Sequence, residues 1–415
     1  TLNRTSLTGI GTIARRALTL GAVAAQSKTY DGTTAADTSK FRAALNNVVA
    51  GEENLVAATA AGAAYNDKNV AAANTVSYTG VQLTGTGAGN YTLAATTAQG
   101  AGTITRRALT VDTVAAQSKT YDGTTAADTS KFSANLGNLV AGEEGSVAAT
   151  ATGATYNDKN VAAANKVSYT GLALTGTGAG NYSIANTAEG AGSITKRALT
   201  VGAVTAQTKT YDGTTAADAS QFHATLGNLV TGEESLVTAT AAGAAYNDKN
   251  VAGASTVDYT GLALTGAGAG NYSIASTAQG AGTITQRALT LGAVEAQTKT
   301  YDGTTAADAS KFRAMLGNTI AGDSVTAVAT TATFNDKNVA AANRIDYTGV
   351  GLAGADAGNY SLAATTAQSA GTITRRTLTV DTVAEQTKTY DGTTAADASQ
   401  FHATLNNVVA GEENL

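Results

Sequence analysis

The chain of 415 residues has no cysteine, no proline and no tryptophan, a single methionine and only two histidines. The absence of cysteine excludes a disulfide scaffold and any thiolate metal site. It also fits a protein that leaves a cell envelope without forming unwanted disulfides. Two histidines, His223 and His402, stand at a position that other copies fill with Arg42, Ser133 and Arg313. That removes a repeated Ser-His-Asp constellation and repeated histidine metal binding. Tryptophan is absent and aromatics make up 5% of the chain, which argues against exposed platforms for stacking sugars. No run of about 20 apolar residues is found, so no membrane span is expected. The formal net charge of −5 lacks the basic footprint that nucleic acid requires. The chain begins at Thr1 with neither Met nor a signal peptide, so its N-terminus is expected to be processed or to lie outside this segment.

What is abundant is small. Glycine numbers 46, and hydrophobic residues make up 43% of the chain, much of it alanine. That is not the profile of a disordered chain, but the core must be built from small residues with few large anchors. Self-similarity at a fixed period then decides the organisation. The string KTYDGTTAAD occurs five times, with its Tyr at Tyr30, Tyr121, Tyr211, Tyr301 and Tyr390, spaced by 89 to 91 residues. The string (Y/F)NDKNVA places its aromatic at Tyr65, Tyr156, Tyr246 and Phe334. AGNY ends on Tyr91, Tyr182, Tyr272 and Tyr360. A fourth string, G(T/S)I(T/A)xR(A/T)LT, begins at Gly11, Gly102, Gly192, Gly282 and Gly371.

These strings divide the chain into four modules, 17–107, 108–197, 198–287 and 288–376. Residues 1–16 match the tail of a preceding module and 377–415 the front of a following one, so the array is expected to continue in both directions.

Within a module, helical periodicity is poor and alternation frequent. In the second module Leu109 and Val111, then Val167 and Tyr169, then Leu172 and Leu174 alternate with other residues. The parity flips at Thr170-Gly171, which predicts a β-bulge. Around Ser130–Val140 the spacing of Phe132, Ala134 and Leu136 favours a strand, with a short helix as the lesser option. Turn clusters at Tyr121-Asp122-Gly123, Gly142-Glu143-Glu144, Asn157–Asn160 and Gly176–Asn181 separate six or seven short strands. The expected fold is all-β, small immunoglobulin-like β-sandwich modules strung end to end. The segment Gly354–Tyr360 resembles the D-x-G-x-Y string of a tyrosine corner, whose hydroxyl bonds to nearby backbone. Tyr91, Tyr182, Tyr272 and Tyr360 are therefore expected at a strand corner, although the other copies place Gly87, Gly178 and Gly268 where Asp356 stands.

The junction Gly102–Val111 contains no proline, serine-rich or flexible sequence. A strand-like junction restricts bending, whereas a tether is rich in Gly and Ser. Strands of six to ten residues give modules roughly 20–35 Å long, so four in line would span on the order of 100 Å.

The KTYDGT, NDKNV and AGNY strings, in this order through essentially the whole chain, resemble the YDG-type repeat of large secreted bacterial proteins, including filamentous-haemagglutinin-like and biofilm matrix adhesins. The resemblance implies an extracellular or cell-surface location and adds β-grasp-like modules as an alternative fold.

Each candidate site has a plain structural explanation. Asp31, Asp122, Asp212, Asp302 and Asp391 precede glycine and are expected to close a turn, since Asp bonds its own backbone two residues on; a cation or ligand loop is the rival. Glu143-Glu144, replaced by Asp323-Ser324 in the fourth module, is expected to be a solvated turn, because a calcium loop needs several spaced oxygen ligands. Asn157–Asn160 is a turn capping the junction, or part of a Lys–Asn cross-link. Arg107, Arg197, Arg287 and Arg376 sit at junctions and are expected to form salt bridges or a solvated edge that discourages aggregation. No nucleophile–base set recurs, so no enzyme, cofactor or metal is expected. The expected function is a stalk or fibre region of a bacterial adhesin, giving length and stiffness. The alternatives are a multivalent weak glycan-binding array and a self-assembling filament built by strand addition. The expected partners are neighbouring modules of the same chain, then other copies of the chain or a surface polysaccharide.

Overall fold

The structure, a computed structural model, describes residues 9–413. Residues 1–8 of the leading segment and 414–415 of the trailing one lie outside the described residues. The described chain is all-β: short strands, single turns of 3-10 helix and no α-helix. A β-grasp alternative therefore finds no helix for its sheet to hold. The chain divides into two compact units. One runs to Arg197 and includes Gly270–Ser273; the other takes Ala198–Ala269 and Ile274–Leu415.

The second module, within the first unit, illustrates the plan. Its strands are β1 (Arg107–Ala108), β2 (Thr110–Val114), β3 (Gln117–Thr120), β4 (Ala134–Gly137), β5 (Ala148–Thr150), β6 (Gly153–Tyr156), β7 (Lys166–Thr170), β8 (Ala173–Thr175), β9 (Tyr182–Ser183) and β10 (Thr187–Thr195). One sheet has the order β3-β10-β7-β6. Smaller ribbons pair β2 with β4, β5 with β8, and β1 with β9. Most pairs are antiparallel, but β1–β9 and β3–β10 run parallel, an addition to the antiparallel scheme of an immunoglobulin-like sandwich. In the first module the counterparts of β1 and β2 form one strand, Arg16–Val23, at the centre of a three-stranded sheet.

Alternation fixes which face is buried. In β7 Val167 and Tyr169 point inward and are fully buried, while Thr170 is exposed. The predicted bulge at Thr170-Gly171 is instead a crossing between sheets: β7 ends at Thr170, and β8 joins β5 in another ribbon. Gly171 makes the crossing with φ +63, which a side chain rarely adopts. A bulge does occur elsewhere, between Val111 and Thr113 of β2.

The segment after Asp128 is one 3-10 turn, Thr129–Lys131, capped by the Asp128 carboxylate accepting from Ser130 N. It leads into strand β4, so the strand expectation holds there. The cap delivers Phe132 onto Tyr169, ring centroids 4.7 Å apart. Buried Gln117 ties the same corner together. Its amide donates to Asp128 O at 2.9 Å and Tyr169 Oη at 3.1 Å, and its oxygen accepts from Asp128 N at 2.8 Å. A buried amide needs such partners.

The trailing segment pairs Thr379–Val383 with Ala403–Asn406. Its Tyr390 is 93% and Phe401 57% exposed, against 1% for Tyr30 and Phe41. Among the described residues 377–413 there is no strand equivalent to β7 or β10, which cover these side chains elsewhere.

Candidate functional site at the module joint

The Tyr-Asp-Gly turn closes on itself through its aspartate. Asp122 Oδ1 accepts from Thr124 N and Thr124 Oγ1, both at 2.9 Å. Lys119 Nζ donates to Asp122 Oδ1 at 2.7 Å, Thr124 O at 2.9 Å, Thr124 Oγ1 at 3.1 Å and Ala126 O at 2.9 Å. The ammonium also lies 5.4 Å from the centre of the Tyr156 ring, within range of a cation–π contact. Burial raises the Asp122 pKa, but the bonds from Lys119 and Thr124 outweigh it and hold the carboxyl below its ordinary value. Asp31, Asp212, Asp302 and Asp391 accept from the threonine two residues on and from Lys28, Lys209, Lys299 and Lys388 in the same way. The lysine ammonium fills the oxygen cluster and neutralises its charge. Among the described residues no group of three or more His, Cys, Asp or Glu could hold a metal ion.

The tyrosine of the turn faces the next module. In the first unit, Tyr30 meets Tyr182 edge to face, centroids 5.3 Å apart. Its hydroxyl donates to Glu143 Oε1 at 2.7 Å, and the Tyr182 hydroxyl donates to Oε2 of the same carboxylate at 2.6 Å. Tyr182 Oη in turn accepts from Val140 N at 3.1 Å. Lys68 Nζ stands 4.0 Å from Glu143. Burial, then the bond to Glu143, pushes the Tyr30 pKa far above its ordinary value. For Glu143, burial acts upward, yet the two phenols and Lys68 leave its pKa lowered.

A second clasp lies beside the first. Asn181 Oδ1 accepts from Val70 N at 2.9 Å, and Asn181 Nδ2 donates to Asn69 Oδ1 at 2.9 Å. Asn69 is itself held by Asp67, whose Oδ1 accepts from Asn69 N at 2.7 Å and Nδ2 at 2.9 Å. The glycine of the turn makes room for the contact. Gly32 has φ +80, and a Cβ there would lie 2.8 Å from Val140 Cγ1.

The second unit repeats the arrangement. Tyr211 and Tyr360 lie 5.4 Å apart and both donate to Asp323 Oδ2, at 2.9 and 2.5 Å. Asn359 accepts from Val251 N and donates to Asn250 Oδ1, both at 2.9 Å. Gly213, φ +78, faces Ile320 Cγ2 at 3.0 Å from its would-be Cβ. Asp323 is one methylene shorter than Glu143, and Ile320 one longer than Val140. Within the first unit, Tyr121 meets Tyr272 at 5.3 Å, and Asn271 bonds Val161 N and Asn160 Oδ1 at 2.9 Å each. Tyr301 donates to Glu412 at 2.5 Å.

Several sequence expectations change. Glu143 is not a solvated turn residue: its side chain is 18% exposed and bridges two modules. Only Glu144 behaves so, its carboxylate capping Gly142 N at 3.2 Å. The substitution to Asp323 keeps the role rather than erasing it. Tyr91, Tyr182 and Tyr360 are buried, but their hydroxyls accept from Val49, Val140 and Ile320 N, some 40 residues upstream. The bond therefore spans the module, unlike the short-range bond of a tyrosine corner.

Arg107 forms neither a salt bridge with an acid nor a bare solvated edge. Its Nε donates to Asn138 O and its guanidinium to Asn138 Oδ1, both at 2.7 Å. Asn138 holds a left-handed φ of +67. Arg287 and Arg376 hold Asn318 and Asn407 alike, and Arg197 begins the corresponding strand Arg197–Ala198. The strand Arg107–Ala108 pairs with Tyr182–Ser183, which places Arg107 in the second module's sheet. The Asn-Asp-Lys-Asn cluster supplies the asparagine clasp. Its Lys68 is 50% exposed beside a carboxylate, far from the buried setting a Lys–Asn cross-link needs. His223 and His402 are exposed. The expectation that Asn157–Asn160 caps the junction holds, since Asn160 Oδ1 accepts from Asn271 of the next module. The joint roles of Tyr30, Gly32, Val140, Glu143 and Asn181 went unrecognised in the sequence, although a carboxylate at 143 and 323 and an asparagine before every AGNY tyrosine were the available signals.

Small mixed-strand β modules in tandem, clasped to one another through the signature residues of their turns, define a modular repeat protein. The YDG domain model matches residues 14–98, 105–189, 195–279 and 285–367. The chain belongs to the YDG domain family, with four tandem copies. No curated protein matches its sequence. Among solved structures it is similar to protocadherin gamma B2 cadherin domains 3–6, at 11% identity over 88% of this chain and 99% of that one, TM-score 0.23. It is also similar to Sidekick-1 immunoglobulin domains 1–5 (9%, 86% and 80%, TM-score 0.21) and to the human desmocollin-1 ectodomain (8%, 77% and 71%, TM-score 0.22). At these TM-scores the likenesses carry no argument.

Proposed function

We propose that the chain is the structural repeat region of a bacterial extracellular adhesin or matrix fibre, supplying length and stiffness and catalysing no reaction. One observation carries this reading: consecutive modules within a unit are clasped at two separate points, a tyrosine–carboxylate clasp and an asparagine clasp, built by residues that every complete module repeats. Two attachments resist rotation in a way that one does not. The neighbouring module is thus the partner for which these side chains are shaped. Within the complete modules, large aromatics that could serve as a sugar platform are turned into the core: Tyr30, Tyr121, Tyr169, Tyr182, Tyr211 and Tyr259 are each at most 2% exposed. The cysteine-free composition and the YDG family resemblance support a secreted setting.

Negative-stain images of the intact chain test the reading. Extended particles of uniform width are expected; compact globules would overturn it.

A further inference from the structure

We propose that the joint between the two modules of the first unit is an acid-released latch: protonation of Glu143 opens the tyrosine clasp and leaves the asparagine clasp as a hinge. This inference rests on the structural reading above. Glu143 is the single carboxylate that both phenols use, Tyr30 through Oε1 and Tyr182 through Oε2. The charged and titratable groups facing it are those two tyrosines and Lys68, with Arg107 acting on Tyr182 from the adjoining strand. The neighbouring Glu144 carboxylate is turned to Gly142 N. Once the carboxyl is protonated, the oxygen that carries the proton donates instead of accepting, so the phenol bonded there becomes the acceptor and its own hydrogen loses its partner, and the attraction to Lys68 disappears. A buried phenol left without an acceptor favours the open joint.

The sign follows from the direction of the shift. The pKa of Glu143 is lowered in the closed joint, so its contribution is complete above the ordinary glutamate value and is lost as pH falls through the lowered one. The bonds that cross the joint in the asparagine clasp are made by amides and the Val70 backbone, none of which titrates in this range; the one carboxylate behind them, Asp67, bonds Asn69 within its own module. Acid therefore converts a two-point joint into a one-point joint.

The chain has no cysteine, so spin labels can be placed freely on the full-length protein. Thr59→Cys and Thr150→Cys put one label on each module at exposed strand positions. Thr150→Cys with Thr195→Cys provides a control pair within the second module. Pulsed electron spin resonance distances are measured from about pH 7 to about pH 3, across the carboxylate range. The expected result is a single narrow inter-module peak at neutral pH that is lost in acid, with the control pair unchanged. Glu143→Gln is expected to show the broad distribution at both ends of the range. An inter-module peak that stays narrow in acid, a control pair that broadens with it, or a narrow, pH-independent peak in Glu143→Gln would each overturn the latch. A broad inter-module distribution in the unmodified sequence at neutral pH would instead overturn the stiff-stalk reading.

Discussion

Tyrosines at two neighbouring core positions show how differently one residue type is used. The Tyr169 hydroxyl accepts from Gln117, a buried amide that depends on it. The hydroxyls of Tyr65, Tyr156 and Tyr246 are buried without a partner, and the fourth module places Phe334 at their position. Where the hydroxyl is absent, that module carries Ser369 in place of Gly100, Gly190 and Gly280, and its side chain lies 3.2 Å from Tyr347 Oη. An unsatisfied buried hydroxyl destabilises, whereas removing one partner of a buried pair strands the other. Tyr156→Phe is therefore expected to leave stability unchanged or raise it by up to ~1 kcal/mol, and Tyr169→Phe to lower it by about 1–3 kcal/mol. Native-state hydrogen exchange of the second module's core strands reads both changes.

At the scale of the element, the Tyr-Asp-Gly turn performs three tasks with three residues. The aspartate closes the turn, the tyrosine reaches the next module, and the glycine admits a left-handed backbone and the approach of Val140. The last two effects can be separated, because Gly392 has φ +77 with nothing within 4 Å of a would-be Cβ, while Gly32 has φ +80 and meets Val140 at 2.8 Å. Gly392→Ala is expected to cost about 1–2 kcal/mol from the backbone alone. Gly32→Ala is expected to cost more, and to increase hydrogen exchange at Val70 N, which donates across the joint. Equal local costs, with no change at Val70, would contradict a role for the glycine in the joint. The strand elements were largely legible beforehand. Alternation in Lys166–Thr170 gave the inward face correctly because period-two burial is a local property of the backbone. The bulge expected at Gly171 failed because parity alone does not distinguish an extra residue in one ladder from a chain that leaves one sheet for another.

For the array as a whole, the pairings at the joints are the quantity that matters. The joint in the second unit combines Asp323 with Ile320 where the first unit combines Glu143 with Val140. A shorter carboxylate is matched by a longer aliphatic neighbour, so the two positions should be coupled. Asp323→Glu alone and Ile320→Val alone are each expected to destabilise the joint, and the double substitution to recover most of the loss. A double-mutant cycle on thermal unfolding should give a coupling of about 0.5–3 kcal/mol, the range for residues that share partners. Additive effects would separate the two positions.

The sequence by itself determined the period, the all-β class, the turn-closing aspartates and the membership in a repeat family, because each depends on residues close in the chain or on copies compared with one another. It placed the Asn-Asp-Lys-Asn turn at the junction, but misjudged Glu143, the arginines and the AGNY tyrosines, and did not see the asparagine that completes the second clasp. The partners of these residues lie 31 to 113 positions away, and an acidic pair between glycines looks the same whether its turn faces water or another module. Only the tertiary structure decides that question, by bringing two buried phenols to one carboxylate.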